Sequence, residues 1–65
     1  MERSLRENLK RARNEKGMTQ QAVANYVGIS KDYYKAIEAG KRNGKFDIWD
    51  SLEELFNVHQ KYLRQ

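Results

Sequence analysis

Residues 20–40, QQAVANYVGISKDYYKAIEAG, decide the fold. Small Ala24 is followed four residues later by Gly28, then apolar Ile29, then a second helix-like run ending at Gly40. This reads as two helices joined by a tight turn that crosses them steeply. Each part has a mechanical reason. Ala24 lies where the helices approach most closely, and a larger side chain would force them apart. Gly28 supplies a positive φ at little steric cost. Ile29 buries the turn, while Val23, Val27, Tyr34 and Ile37 hold both helices to a core. A pair of this geometry places its second helix where it can enter the major groove of DNA.

Outward from that stretch, no proline interrupts the chain, and four glycines (Gly17, Gly28, Gly40, Gly44) divide it, each ending or following a helix-like run. Residues 4–16 carry Leu5, Leu9 and Ala12 at helical spacing, with Ser4 and Glu7 in a capping-box pattern. Thr19 is positioned to cap the second helix and Ser30 the third. Residues 47–56 repeat the helical period with Ile48 or Trp49, then Leu52, Leu55 and Phe56. Asn57 serves as the stop, because Asn tolerates the left-handed region. Residues 58–63 add a short final helix. No segment alternates with period two, so no strand is expected. The fold class is all-α: one domain over residues 1–65, a compact bundle of five short helices, with the helix-turn-helix at about 20–39. Helices this short are not stable alone in water and must pack together. The expected core is Leu5, Leu9, Met18, Val23, Ala24, Val27, Ile29, Tyr34, Ile37, Phe46, Trp49, Leu52, Phe56 and Val58.

Composition narrows the function. The 65 residues contain no cysteine, which excludes a disulfide framework and a thiolate metal site. No apolar run approaches the roughly 20 residues of a membrane span, and the first residues lack the apolar core of a signal peptide. A cytoplasmic protein without a membrane partner is expected. The formal charge of +4 is unevenly placed. Residues 1–45 hold 11 Lys/Arg against 5 Asp/Glu, and residues 46–65 hold 2 against 4. Polyanions are the natural partners of the basic part. Catalysis is not expected: there is no cysteine nucleophile, no serine–histidine pattern and no phosphate-cradling glycine loop. Glu53 and Glu54 are adjacent on a helix and point apart. The single histidine, His59, makes neither a metal site nor a triad, and no cofactor or small-molecule ligand is expected.

Over residues 5–63 the chain resembles the lambda-repressor/Cro type of helix-turn-helix domain, the XRE family. The stretches that carry the likeness are LKRARNEKGMTQQAVANYVGIS, AIEAGKR and FDIWDSLEELFNV. The resemblance implies a five-helix DNA-binding domain, commonly dimeric, that represses or otherwise regulates transcription. It implies base contacts from Lys31, Asp32 and Ala36. Their chemistry suits readout: lysine donates to guanine, aspartate accepts from cytosine N4, and alanine packs on a thymine methyl. It also implies backbone contacts from Gln20, Ser30 and Tyr33. Lys35, Lys41, Arg42 and Asn43 would bind the flanking phosphates, which set affinity and register. Arg13 and Glu38 match a structural ion pair that ties the first helix to the third.

The chain departs from the family at three places. Tyr34 replaces a small aliphatic residue, which pushes the recognition helix outward or sends the hydroxyl to solvent. Glu53 stands where alanine is common. Lys45 stands where a capping serine is common, so the fourth helix should start later, near Asp47. Useful specificity requires a two-fold dimer, expected through the C-terminal part around Val58, Tyr62 and Leu63. The alternative is a protein-interaction module of the same fold, acting as an antirepressor, antitoxin partner or coactivator bridge through the acidic C-terminal third.

Overall fold

The computed structural model describes residues 5–65, and Ser4 of the expected capping box lies outside them. Five helices follow in order: α1 (Glu7–Glu15), α2 (Gln20–Val27), α3 (Lys31–Glu38), α4 (Phe46–Phe56) and α5 (Gln60–Leu63). There is no strand among the described residues. α2 and α3 pack against each other as the helix pair. α1 lies against α3 and α5, and α4 against α2 and α5.

Local chemistry sets the helix ends. Thr19 accepts a hydrogen bond from the Ala22 amide at 3.0 Å, and Ser30 accepts one from the Tyr33 amide at 3.1 Å. These side chains satisfy backbone donors that have no partner within the helix. α2 stops at Gly28, whose φ of 87° is left-handed. The Ala24 carbonyl then accepts from both Gly28 and Ile29, at 2.8 and 3.0 Å. α4 stops at Asn57 with φ 56°. α4 starts at Phe46, one residue before the expected Asp47, and the Lys45 side chain caps nothing. α1 starts at Glu7, with Arg6 as an uncapped entry. Gly44 does not follow a helix directly; it lies in the loop between α3 and α4.

The core forms around Leu9, Val23, Ala24, Tyr34, Ile37, Ile48, Trp49, Leu52, Phe56 and Leu63. Met18, Val27, Ile29 and Val58 are half-buried against it. Four expectations need correction. Leu5 is 42% exposed, because α1 begins after it and helical spacing to Leu9 does not apply. Phe46 is 78% exposed. It begins α4 and stands about 100° around the helix from the centre of the buried stripe of Ile48, Trp49, Leu52 and Phe56. Ile48 and Trp49 are both buried rather than one of the two. Leu63, expected at a dimer surface, is fully buried on the helix that packs against α1 and α4.

Candidate nucleic-acid interface

The outer side of α3 and the loop after it form the candidate surface. Lys31 and Asp32 occupy the exposed first turn of α3. An aspartate there also complements the positive end of the helix dipole. Lys35 is exposed one turn further on, and Ala36 is half-buried beside it. Asp32, Lys35, Ala36, Ala39 and Lys41 line a shallow hollow along this side. The Ser30 hydroxyl is engaged as the α3 cap. Tyr33 is half-buried, with the Arg42 guanidinium 5.6 Å from its ring centroid, within range of a cation–π contact. Lys41, Arg42 and Asn43 form an exposed segment. The amides of Lys41 and Arg42 fold back to the Ala36 carbonyl, at 2.9 and 3.3 Å.

Behind α3 lies a buried polar hub centred on Glu38, which is 3% exposed. Arg13 grips its carboxylate with two prongs, Nε to Oε2 at 2.8 Å and Nη2 to Oε1 at 3.1 Å. Arg13 also donates to the Met18 carbonyl at 3.0 Å, tying the α1–α2 turn to the same point. The Tyr34 hydroxyl donates to Oε2 at 2.7 Å, and the Gln20 amide donates to Oε1 at 3.1 Å. The structure therefore brings Arg13 and Glu38 together and adds two members that the sequence reading placed elsewhere. The Tyr34 hydroxyl does not reach solvent. Tyr34 is fully buried, and its hydroxyl meets a carboxylate one turn along its own helix. Gln20 uses one amide hydrogen on Glu38, and a carboxamide nitrogen carries a second. Arg13, Thr19, Gln20, Gln21 and Lys31 line a second hollow where α2 begins.

These contacts shift the titrations. Burial pushes the Glu38 carboxyl up, but hydrogen bonds from Arg13, Tyr34 and Gln20 outweigh it and hold the group below its ordinary range. Burial pushes the Tyr34 phenol up, and donation to Glu38 pushes it further. The hydrogen bond to Glu38 raises Arg13. At neutral pH the hub is a carboxylate, a guanidinium and a neutral phenol, and each buried polar side-chain atom among the described residues has a partner.

Sequence reasoning gave Arg6 no role, yet it bonds to three separate segments. Its amide donates to the Glu38 carbonyl at 2.9 Å. Its guanidinium donates to the carbonyls of Ile37, Arg42 and Arg64. No periodicity marks such a residue, because its partners are backbone groups. Trp49, read only as core, donates its indole N–H to the Asn43 carbonyl at 2.7 Å. A buried tryptophan needs such a partner, which was the one available signal.

A family model described as helix-turn-helix matches residues 9–63. The chain belongs to the XRE-type helix-turn-helix family. It is similar to an uncharacterised HTH-type transcriptional regulator, YqaE, of Bacillus subtilis (strain 168), at 35% identity over 57 residues. That alignment covers 88% of this chain and 49% of YqaE, so the chain spans about half the length of that relative. Among solved structures it is similar to the restriction-modification controller protein C.AhdI from Aeromonas hydrophila, with a TM-score of 0.77 and 24% identity. The match covers 88% of this chain and 86% of C.AhdI, and at that identity it establishes the shared helix-turn-helix fold. No helix among the described residues is long and apolar enough to cross a membrane.

Proposed function

We propose that this helix-turn-helix chain binds double-stranded DNA sequence-specifically and regulates transcription as a repressor, working in the cytoplasm by binding rather than by catalysis. α3 lies in the major groove. Lys31 and Asp32 read base edges, and Ala36 packs on a thymine methyl. Gln20, Ser30, Tyr33, Lys35, Lys41, Arg42 and Asn43 hold the phosphates on either side. The observation that carries this reading is an exposed α3 face backed by a saturated buried hub: the helix that presents Lys31 and Asp32 is fixed to α1 and α2 through Glu38. A reading surface is useful only when its support holds it in one geometry. One copy reads few base pairs, so two copies pair through the α5 side.

The test is selection of bound duplexes from a random library near physiological salt. The expected product is an inverted repeat with half-sites about one helical turn apart. Lys31→Ala should then relax the preference at one position in each half-site. Weak, salt-sensitive binding with no enriched sequence would reject the sequence-specific reading.

A further inference from the structure

Arg6 sits at the junction of three segments that are distant in sequence. At the end of α3, its amide takes the Glu38 carbonyl and its Nη1 takes the Ile37 carbonyl. In the loop beyond, the same Nη1 donates to the Arg42 carbonyl at 2.9 Å. Past α5, its Nε donates to the Arg64 carbonyl at 3.1 Å. The guanidinium also lies 5.2 Å from the Trp49 ring centroid, and the Arg64 guanidinium lies 5.3 Å from the same ring. A fixed cation is well placed here, since the last carbonyls of a helix carry partial negative charge. Burial and the nearby Arg64 lower the Arg6 pKa, but an arginine stays charged in proteins.

These contacts bear on the loop from Lys41 to Asn43. Its backbone is anchored from the inside at four points. The Lys41 and Arg42 amides go to the Ala36 carbonyl. The Arg42 carbonyl goes to Arg6, and the Asn43 carbonyl to the Trp49 indole. The side chains of Lys41, Arg42 and Asn43 are left outside. Gly44 then allows the close approach: a Cβ there would stand 3.0 Å from the Trp49 indole nitrogen.

We infer that Arg6 is a positioning residue, which together with Trp49 holds the 41–43 loop so that its outer side chains meet the DNA backbone. The inference rests on the proposed DNA-binding function. Arg6 acts through backbone carbonyls and itself touches no phosphate. Loop contacts add affinity only when the loop is already ordered, because ordering it on binding costs free energy.

Arg6→Lys tests this, since lysine keeps the charge and loses the planar fork that spans several carbonyls. In the free protein, hydrogen exchange at the Trp49 indole and the Arg42 amide should quicken at least tenfold relative to the core amides of Val23 and Leu52. With sonicated mixed-sequence duplex DNA, the slope of log affinity against log salt should fall by about one or two, since each phosphate that the loop no longer neutralises removes about 0.9. Adding Arg6→Lys to the pair Lys41→Ala, Arg42→Ala should then change affinity less than threefold. Trp49→Phe, which keeps a ring and removes the indole donor, should weaken binding in the same loop-dependent way and serves if Arg6→Lys does not fold. Unchanged indole exchange, or an undiminished salt slope in folded Arg6→Lys, would overturn the positioning role. A wild-type chain that binds no duplex would overturn the DNA-binding reading and this role with it, whatever the exchange data show.

Discussion

At the scale of single residues, Glu38 has the largest predicted effect. Its carboxylate accepts from α1, from α2 and from its own helix. Removing one partner from a buried ion pair strands the other charge, at about 3–5 kcal/mol. A chain this short has a total stability of only about 3–10 kcal/mol. Glu38→Ala should therefore lower the melting temperature sharply, whereas Glu54→Ala, at an exposed position, should change stability by no more than about 0.5 kcal/mol. Equal melting temperatures would mean the hub contributes nothing. The acid limb gives a second check. The folded Glu38 pKa is depressed below its ordinary value of 4.5, so the folded state binds this proton more weakly than the unfolded chain. Its stabilisation is complete above the unfolded value and is lost as pH falls through the folded one. Melting temperature against pH should fall more steeply for the wild type than for Glu38→Gln in that acid window. The Arg13–Glu38 pair was legible through the resemblance. The Tyr34 partnership was not, because sequence offers a bulky residue at a small site without saying which polar group its hydroxyl will meet. Lys31 and Asp32, which the resemblance marks as base-contacting, stand exposed in the first turn of α3.

At the scale of elements, the signals that carried over were those with local chemistry. Thr19, Ser30 and Asn57 act within a turn or two of chain, so the sequence contains both partners. Ser30→Ala should cost about 1 kcal/mol, read as a lower denaturant midpoint with an unchanged slope. Helix starts without a cap were less legible. α1 and α4 begin at residues set by tertiary packing, so Leu5 and Phe46 were assigned to a core they do not enter. Gly28 and Gly44 differ in a way sequence does not reveal. Both have positive φ, at 87° for Gly28 and 77° for Gly44. A Cβ at Gly28 meets nothing within 4 Å, so Gly28→Ala carries only the left-handed penalty of about 1–2 kcal/mol. At Gly44 the same methyl would also crowd the Trp49 indole nitrogen at 3.0 Å and Ile37 at 3.3 Å. Gly44→Ala should thus be the more damaging change and should alter the Trp49 fluorescence, while Gly28→Ala leaves that emission unchanged. The reverse order would mean that the indole anchor gives way easily.

At the scale of the whole molecule, a basic N-terminal part and an acidic C-terminal part meet where α5 packs on α1 and α4 on α2. Four residues cannot sustain a helix alone, so Gln60–Leu63 depends on its neighbours. Leu63 supplies that dependence by being wholly buried, while Tyr62 beside it is 47% exposed. The side chain of Asn8 reaches the Tyr62 carbonyl at 3.0 Å and fixes α5 to α1. Sequence placed Tyr62 and Leu63 together at a dimer surface because neighbouring apolar residues near a terminus look alike until the fold assigns their sides. The structure separates them, and so separates folding from the proposed pairing. Leu63→Ala should cost about 2–5 kcal/mol and lower the melting temperature at every protein concentration, because the loss is inside one copy. Tyr62→Ala should leave the melting temperature of the dilute chain nearly unchanged, since it removes a ring that is 47% exposed and a hydroxyl whose contact from Arg11 is exposed and long, at 3.4 Å. In sedimentation equilibrium with the selected operator present, it should shift the assembly from two copies per duplex toward one. Two outcomes would reject α5 as the pairing surface: an unchanged assembly in Tyr62→Ala, or a wild type that remains one copy per duplex at saturating protein. The exposed Phe46, at the start of α4, would then be the next apolar side chain to substitute.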